Sequence, residues 1–168
     1  MANGLTYTRR LTTVEATKQL AATLAQYLHP GDVVILTGGL GAGKTQFVQG
    51  VAEALGIQDQ VISPTFNILL SYTTGRLPLY HFDLYRLDDP HQLEDIGYFE
   101  TLEGDGVSFI EWGNKFPDVM PYGYLHIDIQ VEGEDRVLIA HSVGERSRQM
   151  LFVWAQDSRT RLSKTTLY

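Results

Sequence analysis

The sequence has 168 residues, of which 43% are hydrophobic and 20% charged, a composition that fits one globular domain with its own core. It contains no cysteine, which excludes a disulfide framework and a thiolate metal site and fits a reducing compartment. The formal net charge of −7 disfavours a broad contact with the phosphate backbone of a nucleic acid.

The first segment, residues 1–5, lacks the apolar core of a signal peptide, and no apolar run is long enough to span a membrane. We therefore expect a cytoplasmic protein with no membrane partner. A strand is predicted over residues 6–11 and a helix over residues 12–28, with Thr12 and Glu15 in the positions of a capping box. The buried positions predicted for this helix include Val14, Leu20, Leu24 and Leu28.

The most informative segment is residues 38–45, Gly-Gly-Leu-Gly-Ala-Gly-Lys-Thr, which fits the phosphate-binding P-loop pattern G-x-x-x-x-G-K-[ST]. It follows a predicted strand over residues 33–36 and precedes a predicted helix over residues 46–55. Its glycines let backbone amides turn toward phosphate oxygens, and the helix adds its N-terminal donors. We expect Lys44 to reach the β- and γ-phosphates and the Thr45 hydroxyl to bind Mg²⁺. The predicted nucleotide-contacting residues of this segment are Gly39, Leu40, Gly41, Ala42, Gly43, Lys44, Thr45 and Gln46.

Beyond this loop, hairpins replace the early alternation of strands and helices. Pro64 makes residues 63–66 a non-helical connector, and short helical turns are predicted over residues 90–103, with a break near Gly97. Strands are predicted over residues 67–74, 77–83, 107–111, 124–131 and 136–140. The first two and the last two should pair as antiparallel hairpins. The fold class predicted is α/β, a three-layer P-loop NTPase-like fold with a mixed, partly antiparallel central sheet.

Two acids stand at the ends of predicted strands, where a P-loop protein needs carboxylates for Mg²⁺ and for the attacking water. Glu111 ends the apolar strand over residues 107–111, and Asp83 ends the strand over residues 77–83. Each is assigned here to both catalysis and metal binding, and the pattern does not decide which acid has which role. A helix cap or a surface ion pair is the alternative for either.

Four further residues have both a functional and a structural interpretation. Thr65 fits a sensor of the γ-phosphate, or a threonine that satisfies a turn. Trp112 could stack on a base or a partner, or cover the core. A packed histidine is favoured over a catalytic one for His81. Arg86 could stabilise transition-state charge as an arginine finger, although an ion pair with a neighbouring aspartate is favoured.

The chain ends in a basic segment. Residues 145–168 hold five Lys/Arg and two Asp/Glu, whereas residues 1–144 hold eight Lys/Arg and eighteen Asp/Glu. A solvated, partly disordered end is favoured over a contact with RNA or with an acidic partner. The apolar run over residues 150–155 indicates that part of this segment packs as a helix. We therefore assign residues 1–144 to a P-loop ATPase domain and residues 145–168 to a C-terminal extension.

Four segments together resemble one family: Leu-Gly-Ala-Gly-Lys-Thr at residues 40–45, Ser-Pro-Thr-Phe at 63–66, His-Phe-Asp-Leu-Tyr-Arg at 81–86 and Glu-Trp at 111–112. They resemble the TsaE (formerly YjeE) proteins, small bacterial ATPases required for the threonylcarbamoyl-adenosine (t6A) modification of tRNA. The resemblance implies a P-loop α/β fold with a mixed sheet and Mg²⁺-dependent ATP hydrolysis that is weak for the protein alone. It also implies action with the TsaD–TsaB pair, and contact with tRNA only through that pair.

The resemblance also implies roles for individual residues. Lys44 and the loop backbone would bind the phosphates of ATP or ADP, and Thr45 would bind Mg²⁺. Thr65 would belong to a switch-like loop. The essential acids would be Asp83 and Glu111, and Trp112 would lie near the nucleotide.

The sequence departs from the family pattern in three places. Gly39 replaces the acid usual at the loop start, which alters the local charge, and Gln46 stands where a second threonine is common. Residues 143–168 have no recognised family counterpart.

Two other functions stay open. A small-molecule P-loop kinase would need an acceptor pocket and several lid arginines, but only Arg76 and Arg86 lie in the middle of the chain. A nucleotide-gated binding module would need ATP binding without hydrolysis. GTP is disfavoured, because Pro117 stands where the guanine-reading pattern N-K-x-D, begun by Asn114, needs an acid.

Overall fold

The computed structural model describes residues 4–165, with side chains up to residue 162, and is built around one seven-stranded sheet. The strands are β1 (Thr6–Leu11), β2 (Val33–Thr37), β3 (Leu69–Tyr72), β4 (Leu79–Asp83), β5 (Val107–Glu111), β6 (Tyr124–Glu132) and β7 (Asp135–Val143). Their order across the sheet is β1-β7-β6-β2-β5-β4-β3. Strand β2 is parallel to β5 and β6, and β4 is parallel to β5, whereas the other three pairs are antiparallel. The predicted mixed sheet is confirmed.

Helices cover both faces of the sheet, which gives the predicted three layers. They are α1 (Val14–Ala25), α2 (Lys44–Ala54), α3 (Gln92–Asp95), α4 (Tyr98–Leu102) and α5 (Glu145–Thr165), and short 3-10 turns span Gly113–Lys115 and Pro117–Val119. Helices α1, α2 and α5 contribute to the larger core cluster on one face. Helices α3 and α4 contribute to a smaller cluster on the other face. Among the described residues, no helix has the length and apolarity to cross a membrane.

The burial of each strand follows its sequence pattern. The β2 residues Val33–Leu36 are all buried, because β2 lies in the centre of the sheet between β5 and β6. In β6 the burial alternates, with Leu125, Ile127 and Ile129 in the core and the polar residues between them on the other face. Among the four parallel strands, β2, β4 and β5 end at the same edge of the sheet, which is where the phosphate loop begins.

The predicted start of α1 was wrong by one residue. The cap is Thr13, whose hydroxyl oxygen accepts a hydrogen bond from the Ala16 amide at 2.9 Å. This shift places Glu15 two residues after the cap, so the predicted capping box does not form. Val14 is then the first helical residue and is 59% exposed, contrary to its predicted burial. The helix ends at Ala25, but Leu20, Leu24 and Leu28 are buried as expected.

The described part of the basic C-terminal segment is the helix α5, so the predicted helical packing over residues 150–155 is confirmed and the disordered interpretation was wrong there. Trp154 of α5 is fully buried, with its ring 5.6 Å from that of Tyr7 and 6.4 Å from that of Phe47. Its indole N–H donates to the Thr23 hydroxyl at 2.9 Å. At the start of α5, Arg146 forms an ion pair with the buried Asp32 at 2.8 Å. Residues 1–3, residues 166–168 and the side chain of Lys164 lie outside the described part.

Candidate nucleotide site

The phosphate loop connects the end of β2 to the start of α2. Helix α2 begins at Lys44, two residues earlier than predicted, so Lys44 and Thr45 lie in its first turn. Gly41 and Gly43 have φ values of 77° and 115°, a left-handed conformation that favours glycine. Such a turn before an eleven-residue helix directs successive backbone amides toward one point, which is a geometry that fits a phosphate group.

Glu111 faces the loop from the neighbouring strand. The register of β2 with β5 pairs Leu36 with Glu111, and this places the carboxylate beside the loop lysine. Glu111 Oε1 lies 3.1 Å from Lys44 Nζ, and the two side chains are only 6% and 16% exposed. Glu111 Oε2 lies 2.8 Å from Nε2 of the fully buried His81. Burial alone would raise the pKa of Glu111. The hydrogen bonds and charges of His81 and Lys44 lower it by a larger amount, so the pKa lies below its ordinary value.

Asp83 lies next to Glu111 across the sheet. The two acids are register partners at the ends of the parallel strands β4 and β5, and both are buried. The Asp83 Oδ1 atom accepts a hydrogen bond from the Tyr85 amide at 3.0 Å. The two carboxylates at the ends of these neighbouring strands offer oxygen atoms, the ligands that Mg²⁺ prefers, and Thr45 lies in the first turn of α2.

Thr65 and Arg86 are held by local contacts in this structure. The Thr65 hydroxyl shares a hydrogen bond of 2.8 Å with the Ser63 hydroxyl, which is the turn-satisfying alternative for this threonine. The Arg86 guanidinium lies 4.6 Å from the centre of the Phe66 ring. Among the described residues no ion pair joins Arg86 to Asp83 or to another acid.

Trp112 follows Glu111 with an unusual backbone and a partly exposed ring. Its φ is 62°, a conformation that is strained for a residue with a bulky side chain. The ring lies 4.9 Å from that of Tyr85 and remains 44% exposed, so it does not simply cover the core. Together with Lys44, Thr37 and Asn114 it lines a small cavity of about 140 Å³. Trp112 therefore borders the space next to the loop lysine.

A larger cavity on the outer side of the phosphate loop was not predicted from the sequence. It measures about 400 Å³ and is lined by Thr12 and Thr13, which precede α1, by loop residues 41–43 and by Arg136. Arg136 donates hydrogen bonds to the carbonyls of Gly41 and Ala42, both at 3.1 Å. No local pattern marks Arg136, because the pairings of β2 with β6 and of β6 with β7 bring it to the loop.

The fold and site define a P-loop NTPase-like protein, because a strand–loop–helix phosphate site faces acids at the ends of neighbouring parallel strands. The family model "Threonylcarbamoyl adenosine biosynthesis protein TsaE" matches residues 11–139. This chain belongs to the TsaE family.

Three relatives illustrate the match, and all are called tRNA threonylcarbamoyladenosine biosynthesis protein TsaE. The protein of Bacillus subtilis is 45% identical over 133 residues, which cover 79% of this chain and 83% of the relative. The Treponema pallidum protein is 41% identical, with coverage of 74% and 93%. The Rickettsia felis protein is 39% identical, with coverage of 74% and 72%.

A solved structure agrees with the family match. The crystal structure of Bacillus subtilis YdiB superposes with a TM-score of 0.80 at 34% sequence identity. The superposition covers 94% of this chain and 99% of YdiB, so the shared fold includes nearly all of the described residues.

Proposed function

We propose that this protein is a Mg²⁺-dependent ATPase that supports the t6A modification of tRNA. The observation that carries the proposal is the contact of the loop lysine, Lys44, with the buried Glu111 at the ends of parallel strands. Family membership supplies the pathway, since relatives named for t6A biosynthesis are 39–45% identical over most of their length. We assign the ATPase domain to residues 1–144 and an extension to residues 145–168. A cytoplasmic location agrees with the absence of cysteine.

The loop and the cavity beside it suggest where each part of the nucleotide binds. The phosphates would contact the backbone of residues 39–43 together with Lys44, Thr45 and Gln46 at the start of α2. The cavity of about 400 Å³ shares residues 41–43 and Gln46 with this loop. Ribose and base would therefore lie in that cavity, near Thr13 and Arg136.

Lys44 has to change partners when the nucleotide binds. In this structure it contacts Glu111 at 3.1 Å, but a P-loop lysine acts by contacting the β- and γ-phosphates. We propose that the phosphates displace Lys44 from Glu111 and leave that carboxylate oxygen available to the metal or to water. Magnesium would be held by Thr45, Glu111 and Asp83, and it would neutralise charge on the phosphates when bound.

The reaction proposed is in-line attack of water on the γ-phosphorus of ATP. The bond from this phosphorus to the bridging oxygen breaks, so the products are ADP and inorganic phosphate. Lys44 and the loop amides stabilise the charge that develops on the phosphoryl oxygens. One of the two acids orients the water, and Trp112 borders the reacting end of the nucleotide.

The rim of the site has the composition of a protein-binding surface. Four exposed large apolar side chains lie in the loop or beside residues that follow the strand ends: Leu40, Phe66, Tyr85 and Trp112. Exposed aromatic residues of this kind are enriched at protein interfaces. We propose that the TsaD–TsaB pair binds here and stimulates hydrolysis. The net charge of −7 agrees with a contact to tRNA that is only indirect.

The test is ATP turnover by the purified protein, alone and with TsaD–TsaB, in the absence of any small-molecule acceptor. Release of phosphate that the pair strongly stimulates would support the proposal. Turnover that requires a metabolite and yields a phosphorylated product would instead indicate a kinase. A Glu111→Gln variant that binds ATP without hydrolysis yet sustains t6A formation would indicate a nucleotide-gated binding module.

A further inference from the structure

We propose that His81 is a positioning residue, which holds the Glu111 carboxylate in the orientation that the phosphate loop requires. This inference rests on the proposed ATPase function, because it concerns the same acid. It assigns a role to a histidine that the sequence alone identified only as a packed residue. His81 acts through Glu111 and is not expected to contact the nucleotide.

The position of His81 follows from the alternation of side chains in β4. His81 and Asp83 are two residues apart and therefore lie on the same face of the strand. Because β4 pairs Asp83 with Glu111, this face is also that of Glu111, and the His81 side chain reaches Glu111 from the preceding position. Its Nε2 atom lies 2.8 Å from Glu111 Oε2. Since a carboxylate only accepts hydrogen bonds, Nε2 carries the hydrogen and donates it.

The other ring nitrogen argues against a packing role. His81 is fully buried, and its Nδ1 atom has no hydrogen-bond partner among the described residues. A buried polar atom without a partner costs roughly 1–3 kcal/mol, so an apolar side chain would serve better if this position only filled space. Among the described residues, the contact with Glu111 is the one hydrogen bond that the His81 ring makes. His81 is therefore explained by what it does to the carboxylate.

The two carboxylate oxygens of Glu111 contact different partners, of which one would move when a nucleotide binds and the other would stay in place. Oε1 contacts Lys44, which would leave for the phosphates when a nucleotide binds. Oε2 contacts His81, which is fully buried in β4, so we expect His81 to keep its position. His81 thus keeps the side chain from rotating when Lys44 departs, so that Oε1 stays directed at the loop. A partner that orients a metal-binding carboxylate in this way affects metal affinity or activity by about 10-fold to 100-fold.

The experiment compares three substitutions of His81 with one control. His81→Gln can still present an amide N–H near the position of Nε2, whereas His81→Asn is too short and His81→Leu has no donor. The control is Tyr80→Phe, which removes a hydrogen bond of 2.9 Å to Asp105 from the adjacent residue of β4, on the opposite face. Each variant is measured for kcat and KM, for thermal unfolding, and for ADP affinity by calorimetry with Mg²⁺ and with EDTA.

We expect His81→Leu and His81→Asn to lower kcat by about 10-fold to 100-fold and to raise the KM for Mg²⁺-bound ATP. Their ADP affinity should fall in Mg²⁺ but not in EDTA, because only the binding of the metal depends on the orientation of the Glu111 carboxylate. His81→Gln should restore most of both properties, and Tyr80→Phe should match the wild type. If His81 were only structural, its substitution would lower the thermal stability instead. Any loss of ADP affinity would then be equal in Mg²⁺ and in EDTA.

The outcomes distinguish this inference from the function on which it rests. If the wild type hydrolyses ATP and His81→Leu or His81→Asn does so equally well at low Mg²⁺, the positioning role is wrong and the proposed function stands. If the wild type shows no hydrolysis alone or with its partner, the proposed function fails. The Mg²⁺-dependent ADP affinities still decide the role of His81 in that case. Should His81→Leu fail to fold, the comparison of His81→Gln with His81→Asn gives the same answer, since both are polar.

Discussion

Replacing Glu111 by glutamine tests whether this acid restrains the loop lysine before nucleotide binds. His81 donates to Oε2, so the glutamine oxygen should turn toward His81 and its NH₂ group toward Lys44. An ammonium group cannot accept a hydrogen bond from that NH₂ group, and the Lys44–Glu111 contact of 3.1 Å is lost. Lys44 is then available to phosphate without first leaving a carboxylate.

The size of the effect follows from the contact that is removed. A hydrogen bond to a charged group contributes roughly 1.5–3 kcal/mol, and 1.4 kcal/mol corresponds to a factor of ten in affinity. The pair is largely buried, with side chains 6% and 16% exposed, so solvent screens it little. We therefore expect Glu111→Gln to bind ADP in EDTA about 10-fold to 100-fold more tightly than the wild type. ATP turnover should fall by about 10²-fold to 10⁴-fold because the acid is lost.

The assay is calorimetric titration with ADP in EDTA, followed by phosphate release in Mg²⁺. Asp83→Asn is the matched control, because Asp83 is an equally buried acid at the same edge of the sheet. Its carboxylate accepts a hydrogen bond from the Tyr85 amide. Its turnover should fall, but its ADP affinity in EDTA should not rise. An unchanged or weaker ADP affinity of Glu111→Gln in EDTA would refute the idea that Glu111 restrains Lys44.

Three further predictions test other parts of the molecule. Trp154→Ala should lower the free energy of unfolding by about 3–5 kcal/mol in a denaturant titration, whereas the exposed Phe152→Ala should change it by about 0.5 kcal/mol or less; equal effects would show that α5 does not complete the core. Arg136→Ala should weaken ADP binding in calorimetry, since two loop carbonyls lose their donor, and an unchanged affinity would contradict this support of the loop. Burial and the charge of the neighbouring His141 lower the pKa of His126 in the folded protein. The unfolded chain therefore protonates His126 more readily, and the free energy of unfolding should fall as the pH drops below about 6.5. The loss of unfolding free energy between neutral pH and pH ~5.5 should be smaller in His126→Gln, and an equal loss would exclude His126 as a source.

The phosphate loop was predictable because all of its determinants are contiguous in the chain. A buried strand, a glycine-rich turn and a helix starting near Lys44 are local features, and the structure has all three. The placement of Asp83 beside Glu111 was also within reach of sequence reasoning. Both end apolar strands, and parallel strands that carry ligands end at the same edge of a sheet.

Features that depend on tertiary pairing could not be predicted in the same way. Arg136 reaches the loop because β6 pairs with both β2 and β7. The larger cavity also depends on the pairing of β1 with β7, which brings Thr12 and Thr13 beside the loop. His81 is an intermediate case. Its spacing of two residues from Asp83 places both on one face, but the sequence does not show that Glu111 lies on that same face of the sheet.

The local contacts of Thr65 and Arg86 bear on why turnover by the protein alone is proposed to be weak. In this structure the Thr65 hydroxyl is turned to Ser63, and the Arg86 guanidinium is stacked on Phe66. Among the described residues, neither group forms a hydrogen bond or ion pair with Asp83 or Glu111, so both would have to change partners to respond to a γ-phosphate. Phe66 is among the exposed apolar residues of the rim. A partner bound at this rim would contact the loop that carries Thr65, which makes partner-dependent assembly of the site the simplest physical route from binding to stimulated hydrolysis.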